Sequence, residues 1–234
     1  MRILTTLAAA VTAWLTPTPA PAHQVQVGPV VLDLPVPKGL CVADRGKPEE
    51  ALIFNAMQEA NVDGQLLLLA FDCEELEAAR AGAPGGISSV ATWSVQVPEQ
   101  SGSSGVPELT RRDHMRALVR GAPWKTFDEA VTEARRRLGK PKGDLTSVEV
   151  LGDLGQGAVL FQNDDMMILA TARQGESEGP TSSILGGTVL RSHPVTFSIS
   201  VSTDALGVYS VLRPLVQETL KDAIRLNAAP LRDQ

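Results

Sequence analysis

Pro35-Val-Pro-Lys-Gly-Leu-Cys41 and Leu66-Leu-Leu-Leu-Ala-Phe-Asp-Cys73 bracket the stretch on which the fold turns. They hold the two cysteines of the chain. The prolines flanking Val36 end a strand, because proline brings no ladder donor. Gly46-Lys47-Pro48 then opens a helix, with Pro48 suited to its first turn and Glu49 and Glu50 to its positive end. Leu52, Ile53, Ala56, Met57 and Ala60 fall at helical spacing and predict its buried face. Asn61-Val-Asp-Gly64 stops the helix and turns the chain into a strand over 65–71. The unbroken Leu66–Leu69 run has no polar alternation, so it predicts a central strand buried on both faces. Asp72 then caps a short helix through Leu76 and Ala79, with Glu75 at the capping-box position.

Upstream, Val25 to Pro35 alternates with β-branched residues and reads as a strand, or a strand pair, bent at Gly28-Pro29. The start of the chain has a different character. Arg2, the apolar run Ile3–Leu15, a Pro/Thr-rich break and the triplet Ala20-Pro21-Ala22 have the layout of a secretory signal peptide, with cleavage expected after Ala22. The apolar run is too short to cross a bilayer comfortably. No cysteine follows it to carry a lipid. A soluble exported protein is expected, periplasmic in a Gram-negative host, with residues 23–234 as one α+β domain.

Downstream, residues 87–97 predict a strand containing Trp93. Pro98–Pro107, with Ser101-Gly-Ser-Ser-Gly105, has linker composition and reads as a flexible loop or lobe boundary. Helices are expected over 107–120 and 126–138. The second has a Thr126/Glu129 capping box, a Phe127, Val131, Ala134, Leu138 stripe and Arg135–Arg137 in its last turn, and it stops at Gly139 and Pro141. Strands are expected over 147–154, 158–162, 166–173, 185–191 and 195–202, with loops at 153–157, 163–165, 174–183 and 192–194. Consecutive strands with tight turns make an antiparallel meander. A long C-terminal helix, striped by Leu212, Leu215, Val216, Leu220, Ala223 and Ile224, covers it, and Pro214 blurs where that helix begins.

This order of elements resembles the Mog1/PsbP-like fold. More narrowly, Leu34-Pro-Val-Pro-Lys-Gly-Leu-Cys41, Ala70-Phe-Asp-Cys-Glu-Glu-Leu76 and Arg191-Ser-His-Pro-Val-Thr-Phe-Ser-Ile-Ser-Val201 are similar to uncharacterised exported proteobacterial proteins. The resemblance spans most of the mature chain. It implies a non-enzymatic accessory domain and carries over no catalytic residue. Nothing here matches the photosystem- or GTPase-binding surfaces of the best-known members.

Aromatic residues make up 4% of the chain and hydrophobic residues 43%, so aliphatic side chains must fill the core. The formal charge is −6, and loss of Arg2 with the leader makes the mature chain more acidic still. That disfavours a general nucleic-acid or anionic-membrane binder. The charge is uneven, because residues 108–142 hold ten Lys/Arg against five acids. Of its arginines, Arg111, Arg112, Arg116 and Arg120 are candidates for contact with an envelope protein partner. The plainer reading is two solvated helix faces.

Cys41 and Cys73 are an even pair in an exported chain and read as a disulfide. The alternative makes Cys73 a nucleophile at a helix N-terminus, in a hydrolytic or thiol-dependent enzyme that also uses Asp72. That reading lacks a base, since no histidine lies nearby in sequence. His23, His114 and His193 are far apart and read as ordinary surface or turn residues. Cleavage after Ala22 would leave His23 at the mature N-terminus, where amine and imidazole together suit copper. Asp164-Asp165 and Glu176/Glu178 read as solvated turn acids. No glycine run has phosphate-loop or dinucleotide spacing, so no cofactor is implied. Trp93 and Trp124 are core residues or the lining of a ligand cleft, the latter in a small-ligand carrier.

Overall fold

The computed structural model describes residues 22–61, 64–83, 86–96, 110–121, 124–154, 157–175 and 179–228. The leader, apart from Ala22, the 98–107 loop and Glu176/Glu178 lie outside those residues. The fold is mixed α+β. A large antiparallel sheet is packed with helices, and one of the six described α-helices closes the chain.

The chain opens as a hairpin, β1 (Ala22–Val27) and β2 (Val30–Pro35), turning at Gly28 with φ +57°. The hairpin is a sheet of its own. The main sheet has seven strands: β3 (Leu40–Val42), β4 (Gly64–Asp72), β5 (Ser89–Gln96), β6 (Ala158–Gln162), β7 (Met167–Gln174), β8 (Pro180–Leu190) and β9 (His193–Val201). Their order is β3-β4-β5-β9-β8-β7-β6, and every pairing is antiparallel. β4 therefore lies one strand in from the edge, not at the centre as expected. It is nevertheless buried on both faces. A bulge between Leu66 and Leu68 turns Leu67 and Leu68 to the same side, with Ala70, while Leu66, Leu69 and Phe71 serve the other.

The main core lies on the first face, under β1–β2 and α6 (Val208–Asn227). Trp93 is fully buried there, stacks on Phe197 at 4.8 Å and donates its indole N–H to the Pro35 carbonyl at 3.0 Å. It is a core residue. α6 buries Tyr209, Val216, Leu220 and Ala223 with the polar Thr219 and Asn227, whereas the expected Leu215 is 37% exposed. Pro214 sits inside the helix and on its outer side. Ser210, whose carbonyl loses its helical donor to that proline, is itself exposed, which makes the break tolerable. Asn227 fastens the helix to β2. Its Oδ1 accepts the Asp33 N–H at 3.0 Å, and its Nδ2 donates to the Asp33 carbonyl at 2.8 Å.

A second, smaller cluster lies on the opposite face, where α1 (Pro48–Ala60) and α2 (Cys73–Arg80) cover β4. α1 is turned away from its expected face. Phe54 and Glu50 point inward, while Leu52 is 69% exposed and Ile53 38%. Phe54 is the largest apolar side chain of the helix, and Arg45 lies 4.2 Å over its ring. Asp72 caps α2 as expected, accepting the Glu74 and Glu75 amides, but Glu75 does not bond back. Its carboxylate instead takes the Ser88 N–H at 2.9 Å and the Ser88 hydroxyl. The Sγ atoms of Cys41 and Cys73 lie 2.04 Å apart, the distance of a disulfide, and join β3 to the start of α2.

The expected strand over 147–154 is instead the helix α5 (Ser147–Leu151) followed by a 3₁₀ turn over 152–154. Thr146 and Glu149 form a reciprocal capping box, which satisfies the orphan donors locally and outweighs two valines of strand propensity. β7 runs to Gln174 and β8 begins at Pro180, so both strands reach into the loop expected over 174–183. The β8–β9 turn comprises Arg191 and Ser192, at φ 46° and 65°, with β9 starting at His193. Both residues hold the left-handed conformation that a two-residue hairpin demands. From there the Arg191 guanidinium donates to the Val31 carbonyl at 2.6 Å and ties β1–β2 to the main sheet.

Between the helices of the second face, β5, β9 and β8 present Thr92, Ser94, Ser198, Ser200 and Ser183, all half-buried. Their hydroxyls pair across strands, Thr92 with Ser198 and Ser183 with Ser200, each at 2.7 Å. Those four hydroxyls satisfy one another.

Candidate partner-binding cleft

β6 ends the sheet, and the chain is folded across it. α3 (Arg111–Gly121) packs on the second face, where Met115, Val159 and Met167 make a third small cluster with Leu118, Trp124 and Leu169. Trp124 donates its indole N–H to the Leu118 carbonyl at 3.0 Å, which fixes the connection out of α3. Among the described residues, the chain after α3 meets the β6 edge at one point. The Lys125 carbonyl accepts the Val159 N–H at 2.8 Å, and Thr126 bridges Val159 in parallel. Thr126 immediately caps α4 (Phe127–Leu138), which lies on the first face with its capping box, Arg135–Arg137 and left-handed Gly139 as expected. Glu129 is held below the usual carboxylate range by the Thr126 N–H it accepts.

Beyond Val159 the edge opens into a cleft of about 630 Å³, lined by Leu160, Phe161 and Gln162 of β6, Val119 of α3, Trp124, Thr126, Phe127 and Asp128, and Arg213 of α6. Phe127 meets Tyr209 edge to face at 5.3 Å. Tyr209 donates its hydroxyl to the Thr171 carbonyl at 2.7 Å, and burial pushes its pKa up, so this wall is rigid and uncharged. Arg213 stands 5.8 Å from the Phe161 ring, within cation–π reach. A second hollow of about 510 Å³ shares Phe127, Leu160 and Arg213 and reaches Lys142. A third, about 280 Å³, runs from Val119 past Arg116 and Arg120 to Asn163 and Asp164.

The four arginines expected at a contact surface divide into two pairs. Arg111 bonds the Val189 carbonyl at 3.2 Å and Asp165 at 3.3 Å, and Arg112 meets Asp164 at 3.2 Å. These two bridge α3 to the β6–β7 turn, where Asp164 and Asp165 are exposed turn acids, as expected, that also pair with them. Arg116 and Arg120 make no ion pair among the described residues and line the hollow beside the cleft. Trp124 is half-buried and faces the cleft. Arg213, the cation nearest its aromatic floor, carries no signal in the sequence, because its neighbours in α6 are apolar.

The remaining candidates lie elsewhere. Cys73 is at bonding distance from Cys41, and Asp72 is occupied by two backbone amides. His23 sits in β1 opposite Leu34, and His193 Nδ1 lies 2.8 Å from the Arg191 carbonyl. His114 is half-buried on α3, with its pKa lowered by burial. No three His, Cys, Asp or Glu residues converge on a metal position among the described residues, and no described helix is long and apolar enough to cross a membrane. No family model matches the chain, and no curated protein matches it.

Proposed function

We propose that this chain is an exported, non-catalytic accessory protein that binds another envelope protein through the cleft at the β6 edge. One observation carries the reading. An aromatic-floored groove opens on an unfinished sheet edge, beside cations that no carboxylate among the described residues neutralises. Residues of this kind anchor protein interfaces, where aromatic and arginine side chains dominate the binding energy. The order of elements, from opening hairpin through antiparallel sheet to closing helix, supports a Mog1/PsbP-like accessory domain. Export rests on the layout of residues 1–22, with which a cysteine pair at disulfide distance agrees.

In-cell photocrosslinking tests this reading. A photoreactive amino acid at Val119 or Gln162, both exposed on the cleft, is expected to capture a defined protein adduct. The same probe at Glu59, exposed on α1, is not. Equal or absent adducts at the three positions would count against the cleft. Native mass spectrometry of the purified protein separates a second reading, a small-ligand carrier, which the shared hollows at Phe127 and Leu160 favour. A retained mass that disappears in Phe127→Glu would identify it.

A further inference from the structure

Resting on that reading, we infer that the partner's contacting element is an extended, acidic and apolar peptide segment, which adds as a strand to β6 along Leu160–Gln162.

Three features of the edge converge on this. β6 is last in the sheet, and among the described residues its outer side is engaged only at Val159, by Lys125 and Thr126. The next three residues line open space. An edge strand is normally guarded by a charge or a proline, and Ala158-Val-Leu-Phe-Gln162 has neither. A bulge between Val159 and Phe161 and a length of five residues are the guards it does have. A strand laid there completes the ladder with main-chain hydrogen bonds, the usual source of affinity in strand addition.

Side-chain space is available on both sides of that path. Successive residues of a strand point to opposite faces. An added strand would therefore send alternate side chains toward Val119 and Trp124 on the α3 side, and toward Phe127 and Arg213 on the α4–α6 side. Apolar residues suit the first side. A carboxylate beside Arg213 suits the second.

The charge selects the sign. Arg116, Arg120, Lys142 and Arg213 border the three connected hollows and form no ion pair among the described residues. Of the acids there, Asp164 is already paired with Arg112, which leaves Asp128. A net-negative protein thus presents a positive groove, and opposite charge steers association and rejects wrong partners. A lipid headgroup or a nucleic-acid phosphate would satisfy the cations and leave the strand edge unused. A peptide uses both.

The test begins with a random heptapeptide display library panned on the wild-type protein. The enriched sequences are expected to alternate Asp or Glu with apolar residues. A synthetic peptide of the consensus should protect the Leu160–Gln162 amides from hydrogen exchange. It should weaken about tenfold or more against Arg116→Glu/Arg213→Glu, two exposed positions whose reversal should leave the thermal melt unchanged. N-methylation of alternate peptide amides should also abolish binding. Enrichment of basic sequences, no enrichment, protection elsewhere, or binding to phosphatidylglycerol vesicles in place of peptides would overturn the inference. If Val119 and Gln162 still crosslink a protein in cells while the library yields no acidic strand, the cleft reading stands and this inference falls. If neither succeeds, both fall.

Discussion

Replacing Arg80 by methionine should damage this fold more than replacing Arg80 and Glu50 together. The Glu50 carboxylate is buried under α1, with 7% of its side chain exposed. It accepts Arg80 Nε at 2.9 Å, Arg80 Nη2 at 3.0 Å and the Asp44 N–H at 2.6 Å. The Arg80 hydrogen bond above all, and then Asp44 and the nearby positive charges, hold its pKa down to about 2 against a usual 4.5, while burial pushes the other way. A depressed carboxylate stabilises the fold fully above its unfolded value, and the contribution drains away as pH falls from 4.5 toward 2. The gap between those values corresponds to about 3 kcal/mol, an upper figure because Arg80 is 24% exposed and solvent screens the pair.

Arg80→Met strips the buried carboxylate of its nearer cation and leaves only Lys47 at 3.7 Å and the Asp44 N–H, a loss of up to about 3 kcal/mol, the low end for a broken buried pair. Glu50→Leu/Arg80→Met removes the stranded charge and should recover a large part of that. Urea unfolding at pH 7 and pH 3, without reductant, measures both claims. The wild type should lose more stability between those pH values than Glu50→Gln does. Equal losses in the single Arg80 variant and the double variant, or parallel pH curves for wild type and Glu50→Gln, would refute the reasoning.

Gly186 lies in β8 directly under α6, where a Cβ would fall 2.5 Å from Leu220 Cδ1 and 2.7 Å from Val216 Cγ1. Both neighbours are fully buried, so Gly186→Ala should cost about 1–3 kcal/mol, read from the urea midpoint. Cys41→Ser/Cys73→Ser opens a loop with a sequence separation of 32 and should lower stability by roughly 3–4 kcal/mol in the chain-entropy account. The same unfolding curve, compared with and without reductant, checks it, and a wild type insensitive to reductant would contradict it.

Local signals were readable wherever one element contained its own reason to form. The α4 boundaries follow from Thr126, Glu129 and Gly139, all within the helix and its caps. Burial of β4 on both faces follows from four consecutive leucines. α5 was missed although Thr146 and Glu149 repeat the same box, because Val148 and Val150 alternate like a strand over a segment too short to show helical period. The α1 face was misread because its inward anchor is charged. Glu50 is buried against Arg80, thirty residues later, and a sequence shows no such pairing. The cleft was legible by half. An excess of arginine marked α3, but Asp164 and Asp165 neutralise two of those arginines. Arg213 comes from the far end of the chain, brought in by the packing of α6.

The two ends of the sheet are closed in different ways. Both terminal strands are short, and a bare edge invites unwanted pairing. At β3 the edge is three residues long, and it is fixed to α2 by the Cys41–Cys73 pair and the Cys73 N–H to Gly39 carbonyl bond. At β6, among the described residues, the chain meets the edge at Val159 and then leaves it for α4. A connection meant only to close that edge would continue along it, since Thr126 already runs parallel to the strand. Instead the capping box turns the backbone into a helix at that residue, and Phe127, Trp124 and Arg213 surround the strand that remains. The opening is therefore a consequence of where α4 begins, and Thr126 sets both the helix and the cleft.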